Sequence, residues 1–127
     1  MQHESFHEIK KKRFLSKRMS QVRRFVSEMI GSCFYMYVSC GCYSLAASSE
    51  GKISEIEALL FYSLSNGIAF SVMTYSVQLI SGAHLFPIIT WSLFISKKTR
   101  WNVALLYILA QLSGSLLGVF LLRISLP

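Results

Sequence analysis

The sequence predicts an all-α membrane protein with three transmembrane helices and one re-entrant half-helix. Three observations carry that prediction. Hydrophobic residues make up 53% of the 127-residue chain and charged residues only 15%, against roughly 25% charged in soluble domains. Met29 to Ala47, Ala58 to Ser96 and Trp101 to Leu122 hold no Asp, Glu, Lys or Arg, giving uncharged runs of 19, 39 and 22 residues. Eight of the thirteen Lys and Arg fall within the first 24 residues, ahead of the first of these runs. A net charge of +7 spread over a folded face would suit nucleic acid; gathered at one end it suits a membrane surface, so no nucleic-acid partner is expected.

The first element, residues 1–24, is a basic arm. Leu15, Met19, Val22 and Val26 recur at three- and four-residue spacing, which reads as an interfacial helix lying on anionic lipid. Arg13-Phe14-Leu15-Ser16 and Lys17-Arg18-Met19-Ser20 resemble basophilic kinase sites, where a phosphate would weaken that attraction. A tail that only enforces topology explains the same charges.

The first span covers about 25–47. A basic start, an apolar stretch and Ala46-Ala47 also resemble a cleaved secretory signal, but the long leading arm, Glu28 within the stretch and two further spans argue for a retained helix. Crossing once places Glu50, Glu55 and Glu57 outside, with Lys52 the only cation among them. The second span covers about 58–80. After it, Ser81-Gly82-Ala83-His84-Leu85-Phe86-Pro87 interrupts the long run with Gly and Pro, as a loop does. Ile88 to Ser96 is nine residues, about 13 Å of helix at ~1.5 Å per residue, too short for a ~30 Å hydrocarbon layer. Residues 81–96 therefore enter and turn back. That path returns Lys97, Lys98 and Arg100 to the cytoplasmic side with the amino terminus, as the distribution of Lys and Arg requires. The third span covers about 101–122. Small residues recur every fourth position as Ala110, Gly114 and Gly118, and as Ser63, Gly67 and Ser71, a pattern of close helix packing in membranes.

The loop resembles the first pore loop of the aquaporin family, whose pattern there is Ser-Gly-Ala-His-Leu-Asn-Pro-Ala. Ser27-Glu28-Met29-Ile30-Gly31 with Cys40-Gly41 is similar to the family's first helix, and Tyr107-Ile108-Leu109-Ala110-Gln111-Leu112-Ser113-Gly114 to its third. The likeness runs in order from about Phe25 to Leu122, within a domain of 25–123. In its first helix the chain is also similar to the animal branch that includes the neurogenic big brain protein. The resemblance implies a single aquaporin-like repeat, hence half of a channel, which passes water or small neutral solutes only when paired with a second half or subunit. It implies a homo- or hetero-oligomer, a tetramer in the family, in a multi-pass topology at the plasma membrane. No cofactor is implied.

It also implies roles for residues. Gly82, Ala83, His84, Phe86, Pro87 and Ile88 occupy the pore loop, with the Gly82, Ala83 and His84 carbonyls lining a water file and Pro87 opening the half-helix. Two departures stand out: the family's Asn is Phe86 here, which donates nothing to water and adds apolar bulk, and its Ala is Ile88. The second repeat, with the selectivity Arg, has no counterpart in this sequence. Glu28 and Gln111 match residues that brace the loop. From the sequence alone, Glu28 is either a costly intramembrane carboxylate with a function or an interfacial first-turn Glu stabilised by the helix's positive end. Asn66 matches the family's outer constriction, where a smaller polar side chain widens the aperture; it reads equally as an interhelical hydrogen bond. Ser63, Gly67, Gly114 and Gly118 mark packing faces.

Catalysis and metal binding are not expected. The chain has no Asp, no carboxylate after Glu57, and one His outside the arm without a paired nucleophile or acid. Cys33, Cys40 and Cys42 lack zinc or disulfide spacing and read as packing residues. The competing reading is a non-conducting truncated relative acting as a membrane interaction, adhesion or regulatory partner, favoured by Phe86 and the single repeat.

Overall fold

A computed structural model describes residues 6–48 and 54–126. Among them are four helices and no strand: α1 (Phe6–Ala47), α2 (Glu55–Ser81), α3 (Pro87–Ile95) and α4 (Trp101–Ser125). Glu50 and Lys52, expected outside, fall beyond the described residues. α2 and α4 are long and apolar enough to cross a membrane, with mean hydropathies of 1.4 and 2.0. The nine residues of α3 are not.

Each boundary has a local cause. Ser54 opens α2 with a capping box: its Oγ accepts from the Glu57 amide at 3.3 Å while Glu57 Oε2 accepts from the Ser54 amide at 2.7 Å. Gly82, at φ 93°, closes α2 in the left-handed conformation that a side chain would strain. Pro87 takes the first position of α3, where no N–H is needed.

α1 joins two segments that the sequence reading separates. The arm and the first apolar stretch form one unbroken helix of 42 residues, about 63 Å long at ~1.5 Å per residue. The arm therefore runs into that stretch without a turn. Lys, Arg, Gln, Met and Leu dominate residues 10–24 and no Pro interrupts them, so nothing stops the helix from propagating. Leu15, Met19 and Val22 remain exposed.

α1 is the central helix, packed against α2 on one side and α4 on the other, while α3 packs on α4. Gly114 and Gly118 let α4 approach the α1 backbone: a Cβ on Gly114 would strike the Met29 carbonyl, and one on Gly118 the Cys33 carbonyl. Only 6% of the apolar window of α2 is buried within the chain, against 33% for α4. Leu79, Tyr75 and Leu116 point fully outward. So much exposed apolar surface requires lipid or another protein to cover it. A cavity of about 480 Å³ is lined by Lys17 and Arg24 of α1 together with Lys98 and Arg100. The turn after α3 thus comes back to the end of the molecule that carries the arm.

Candidate functional site

Between α2 and α3 the chain runs through non-helical backbone from Gly82 to Phe86. Gly82, Ala83 and Leu85 all have positive φ, at 93°, 52° and 56°. Left-handed conformations cost L-residues roughly 1 kcal/mol or more each, so the surroundings must hold them. They also leave main-chain amides without helical partners, an expense that grows where water is scarce.

Glu28 supplies what the loop lacks. Its side chain is fully buried and both oxygens act as acceptors. Oε1 accepts from the Ser81 hydroxyl at 2.6 Å and the His84 amide at 2.9 Å. Oε2 accepts from the Leu85 amide at 2.7 Å and from Gln111 Nε2 at 2.9 Å. One α1 carboxylate so ties together the end of α2, two loop amides and α4. This corrects the reading of Glu28 as an interfacial first-turn residue: α1 begins at Phe6, so Glu28 lies mid-helix, away from the positive end, and is buried under four donors.

A second layer fixes the rest. The Ser32 hydroxyl donates to the Leu85 carbonyl at 2.9 Å, and Tyr107 donates to the Ser81 carbonyl at 2.5 Å. His84 Nδ1 lies 3.0 Å from Thr90 Oγ1, which in turn accepts from Gln111 Nε2 at 3.0 Å. The His84 ring packs edge-on against Tyr107 at 4.8 Å. Leu85, 1% exposed, is driven into an apolar cluster with Val77 and Ala83. Its tip lies where a Cβ on Gly31 would sit. Ser32, Ser81, Thr90 and Tyr107 were not singled out as bracing residues from the sequence. The available signal was helical spacing, since Ser32 follows Glu28 and Gln111 follows Tyr107 by four residues, one turn on the same face.

The loop carbonyls divide. That of His84 accepts from the Phe86 amide at 2.6 Å and that of Leu85 from Ser32. Among the described residues nothing donates to those of Gly82 and Ala83, and Gly82 is exposed.

Phe86 stands at the N-cap of α3 with extended backbone and no side-chain cap. It packs edge-on to Tyr35 at 4.9 Å and stacks on Phe70 at 5.5 Å, so helices α1 and α2 grip the start of the half-helix through three rings. Ile88, one position beyond Pro87, is exposed. No acidic residue lies in the first turn of α3, whose positive end is therefore uncompensated beside these rings.

Asn66 is tied to α1: its Oδ1 accepts from the Tyr35 hydroxyl at 2.5 Å. The interhelical bond is thus present. Tyr35→Phe, which keeps the ring on Phe86, is expected to lower stability by about 1 kcal/mol through loss of this bond, read as a fall in the melting midpoint of detergent-purified protein; an unchanged midpoint counts against it.

The small residues separate into two groups. Gly114 and Gly118 sit at the α1–α4 crossing, but Ser63 and Gly67 are exposed, and nothing lies within 4 Å of a Cβ built on Gly67. The face of Ser63 and Gly67 thus has no neighbour within the described chain: four-residue spacing shows that a face exists, not what occupies it. Cys33, Cys40 and Cys42 are free and half-buried.

Residues 15–127 match the family described as Major intrinsic protein. The chain is 32% identical over 103 residues to Aquaporin NIP1-1 of Zea mays, an overlap covering 81% of this chain and 35% of that protein. It is 30% identical over 102 residues to Aquaporin NIP2-1 of Zea mays, covering 80% and 33%, and 33% identical over 102 residues to Probable aquaporin NIP4-2 of Arabidopsis thaliana, covering 80% and 35%. The chain thus spans about a third of the length of these relatives. All three are plant proteins, so the narrower likeness to the animal big brain branch has no counterpart among them.

Proposed function

The chain belongs to the major intrinsic protein family, and on that premise we propose that it forms one half of an aquaporin-like channel. In this reading α1, α2 and α4 cross the bilayer, and the loop with α3 dips in and leaves on the side it entered. The amino terminus is cytoplasmic and the membrane is the plasma membrane. A second half or subunit, in an oligomer of up to four, completes any pore, and the cargo is water or a small neutral solute.

The observation that carries the reading is a loop with three left-handed residues, Gly82, Ala83 and Leu85, whose His84 and Leu85 amides are held by a fully buried Glu28. Irregular backbone at membrane depth survives only where protein satisfies it or water reaches it. Glu28 holds the His84 and Leu85 amides, and in this reading the Gly82 and Ala83 carbonyls, to which nothing donates among the described residues, are left for a solute. The cavity shared by Lys17, Arg24, Lys98 and Arg100 supports a dip and not a crossing, since a spanning α3 would put the last two at the far end. At the constriction, the Asn66 amide nitrogen remains uncommitted among the described residues while its oxygen is held by Tyr35.

One feature favours a second reading, a non-conducting membrane partner. Phe86, clasped by Tyr35 and Phe70, puts an apolar cluster where a donor to water would stand. Osmotic shrinkage of proteoliposomes separates the two. The half-channel reading expects shrinkage faster than empty vesicles, with Phe86→Asn faster again, because Asn restores both a donor and an N-cap. Acceleration in Phe86→Asn alone would identify the native chain as closed at this residue. Rates equal to empty vesicles for both forms would overturn the half-channel reading.

A further inference from the structure

The cavity at the arm end has Ser81, His84 and Tyr107, from the loop and its bracing, on its inner wall, and beyond them a set of cations that loop bracing does not use. Lys17 and Arg24 reach it from α1, Lys98 and Arg100 from the turn between α3 and α4, and Ser20 and Thr99 add hydroxyls between them. No Asp or Glu is among its lining residues. Among the described residues none of the four cations has a carboxylate partner. Glu28, outside the lining, is already occupied by four donors. The four side chains are exposed, so water screens part of their mutual repulsion, and an anion between them would relieve the rest.

The geometry also suits a particular anion. α4 begins at this cavity, with Arg100 as its N-cap, no side-chain cap and no acid in its first turn, so free N–H groups and the positive end of the helix add to the side-chain charge. Arg offers a planar fork and Lys a point charge, the pair that together recognise phosphate oxygens. At about 480 Å³ the cavity has room for a phosphate group with water around it.

We propose that this pocket is a binding site for a phosphate monoester dianion, which on entering fastens the amino-terminal half of α1 to the α3–α4 turn. The proposal goes beyond the attraction of the basic arm to a charged surface, because half of the pocket lies some eighty residues away from the arm in sequence. Because Ser81 and His84 also line the pocket, an anion held there would sit beside the loop, and its binding is measured without reference to conduction. The group has two sources, an anionic lipid headgroup reaching the pocket from the cytoplasmic leaflet, or free phosphate.

The test places the 127-residue chain in phosphatidylcholine nanodiscs and titrates inorganic phosphate, following 31P line broadening; a parallel set replaces a tenth of the lipid by phosphatidic acid and measures co-purified lipid by mass spectrometry. Lys98→Gln/Arg100→Gln removes two pocket charges, while Arg13→Gln/Arg123→Gln removes two charges from outside it. The expected result is at least a tenfold loss of phosphate or phosphatidic acid binding in the pocket pair and less than twofold in the control pair. A response to phosphatidic acid alone identifies the headgroup, and one to inorganic phosphate the free ion. Equal losses in both pairs, or no preference over chloride from either source, would overturn the site. Retained helicity of both pairs keeps a loss from being a folding defect.

Discussion

Glu28→Ala is expected to release the loop while leaving α1, α2 and α4 helical. Four donors lose their acceptor at once, from Ser81, His84, Leu85 and Gln111. At roughly 1 kcal/mol for each hydrogen bond within a membrane protein, the loss comes to about 4 kcal/mol, and stranded buried amides push it upward. Against this, water entering the vacated space re-solvates some of them, which is why the sum is not larger. Glu28→Gln keeps the shape but turns one oxygen into a donor that faces other donors, so it recovers at most about half. The sharper readout is amide hydrogen exchange at His84 and Leu85. Loss of their shared anchor should speed their exchange by about 100-fold, the equivalent of ~2.7 kcal/mol of local opening, while amides in the middle of α4 keep their protection. If both loop amides exchange in Glu28→Ala as slowly as in the native chain, Glu28 does not hold the loop. Gln111→Ala, which removes one donor and the link to Thr90, should cost about 1–2 kcal/mol and leave the His84 amide protected.

The loop explains why some of this site was legible before any coordinates. A carboxylate in an uncharged stretch, a Gly followed five residues later by Pro, and an apolar segment of nine residues are each visible one residue at a time. Their chemical demands are local: a charge needs partners, Pro needs a helix start, and a short helix cannot cross. What stayed hidden depends on which surfaces meet. Tyr35 could not be matched to Asn66 and Phe86 by spacing, since the three come from different segments. The arm is a case of competing levels. Its amphipathic spacing reads as a helix that lies on lipid, while nothing in residues 10–30 breaks the helix, so it runs unbroken into the apolar stretch, a continuity the spacing alone does not reveal. The faces of small residues are a different case: the pattern on α2 equals that on α4, and only the fold reveals that one is occupied within the chain and the other open.

That difference gives the second large effect. Gly114→Ala is expected to destabilise the chain by about 2–3 kcal/mol, an overpacking cost that arises because the new methyl meets the Met29 carbonyl and not a side chain that can rotate away. Gly118→Ala meets the Cys33 carbonyl in the same way, and since the two sites are one turn apart on one interface, their effects should fall short of additive once the first has separated the helices. The change also reaches the loop. Moving α4 away from α1 draws Gln111 from Glu28 Oε2, the oxygen that also takes the Leu85 amide, so Leu85 should lose part of its exchange protection although it touches no substituted residue, while the His84 amide, held by Oε1, keeps its own. Gly67→Ala is the control. Open space surrounds it, and Ala is favoured over Gly within a helix by roughly 0.5–1 kcal/mol, so the isolated chain should melt at the same temperature or slightly higher. The comparison also bears on assembly. If a second half or subunit packs closely on Ser63, Gly67 and Ser71, Gly67→Ala should leave the single chain intact yet weaken the oligomer, measured as a lower-order species in native mass spectrometry. Equal melting of Gly114→Ala and the native chain would mean that α1 and α4 do not approach at backbone contact.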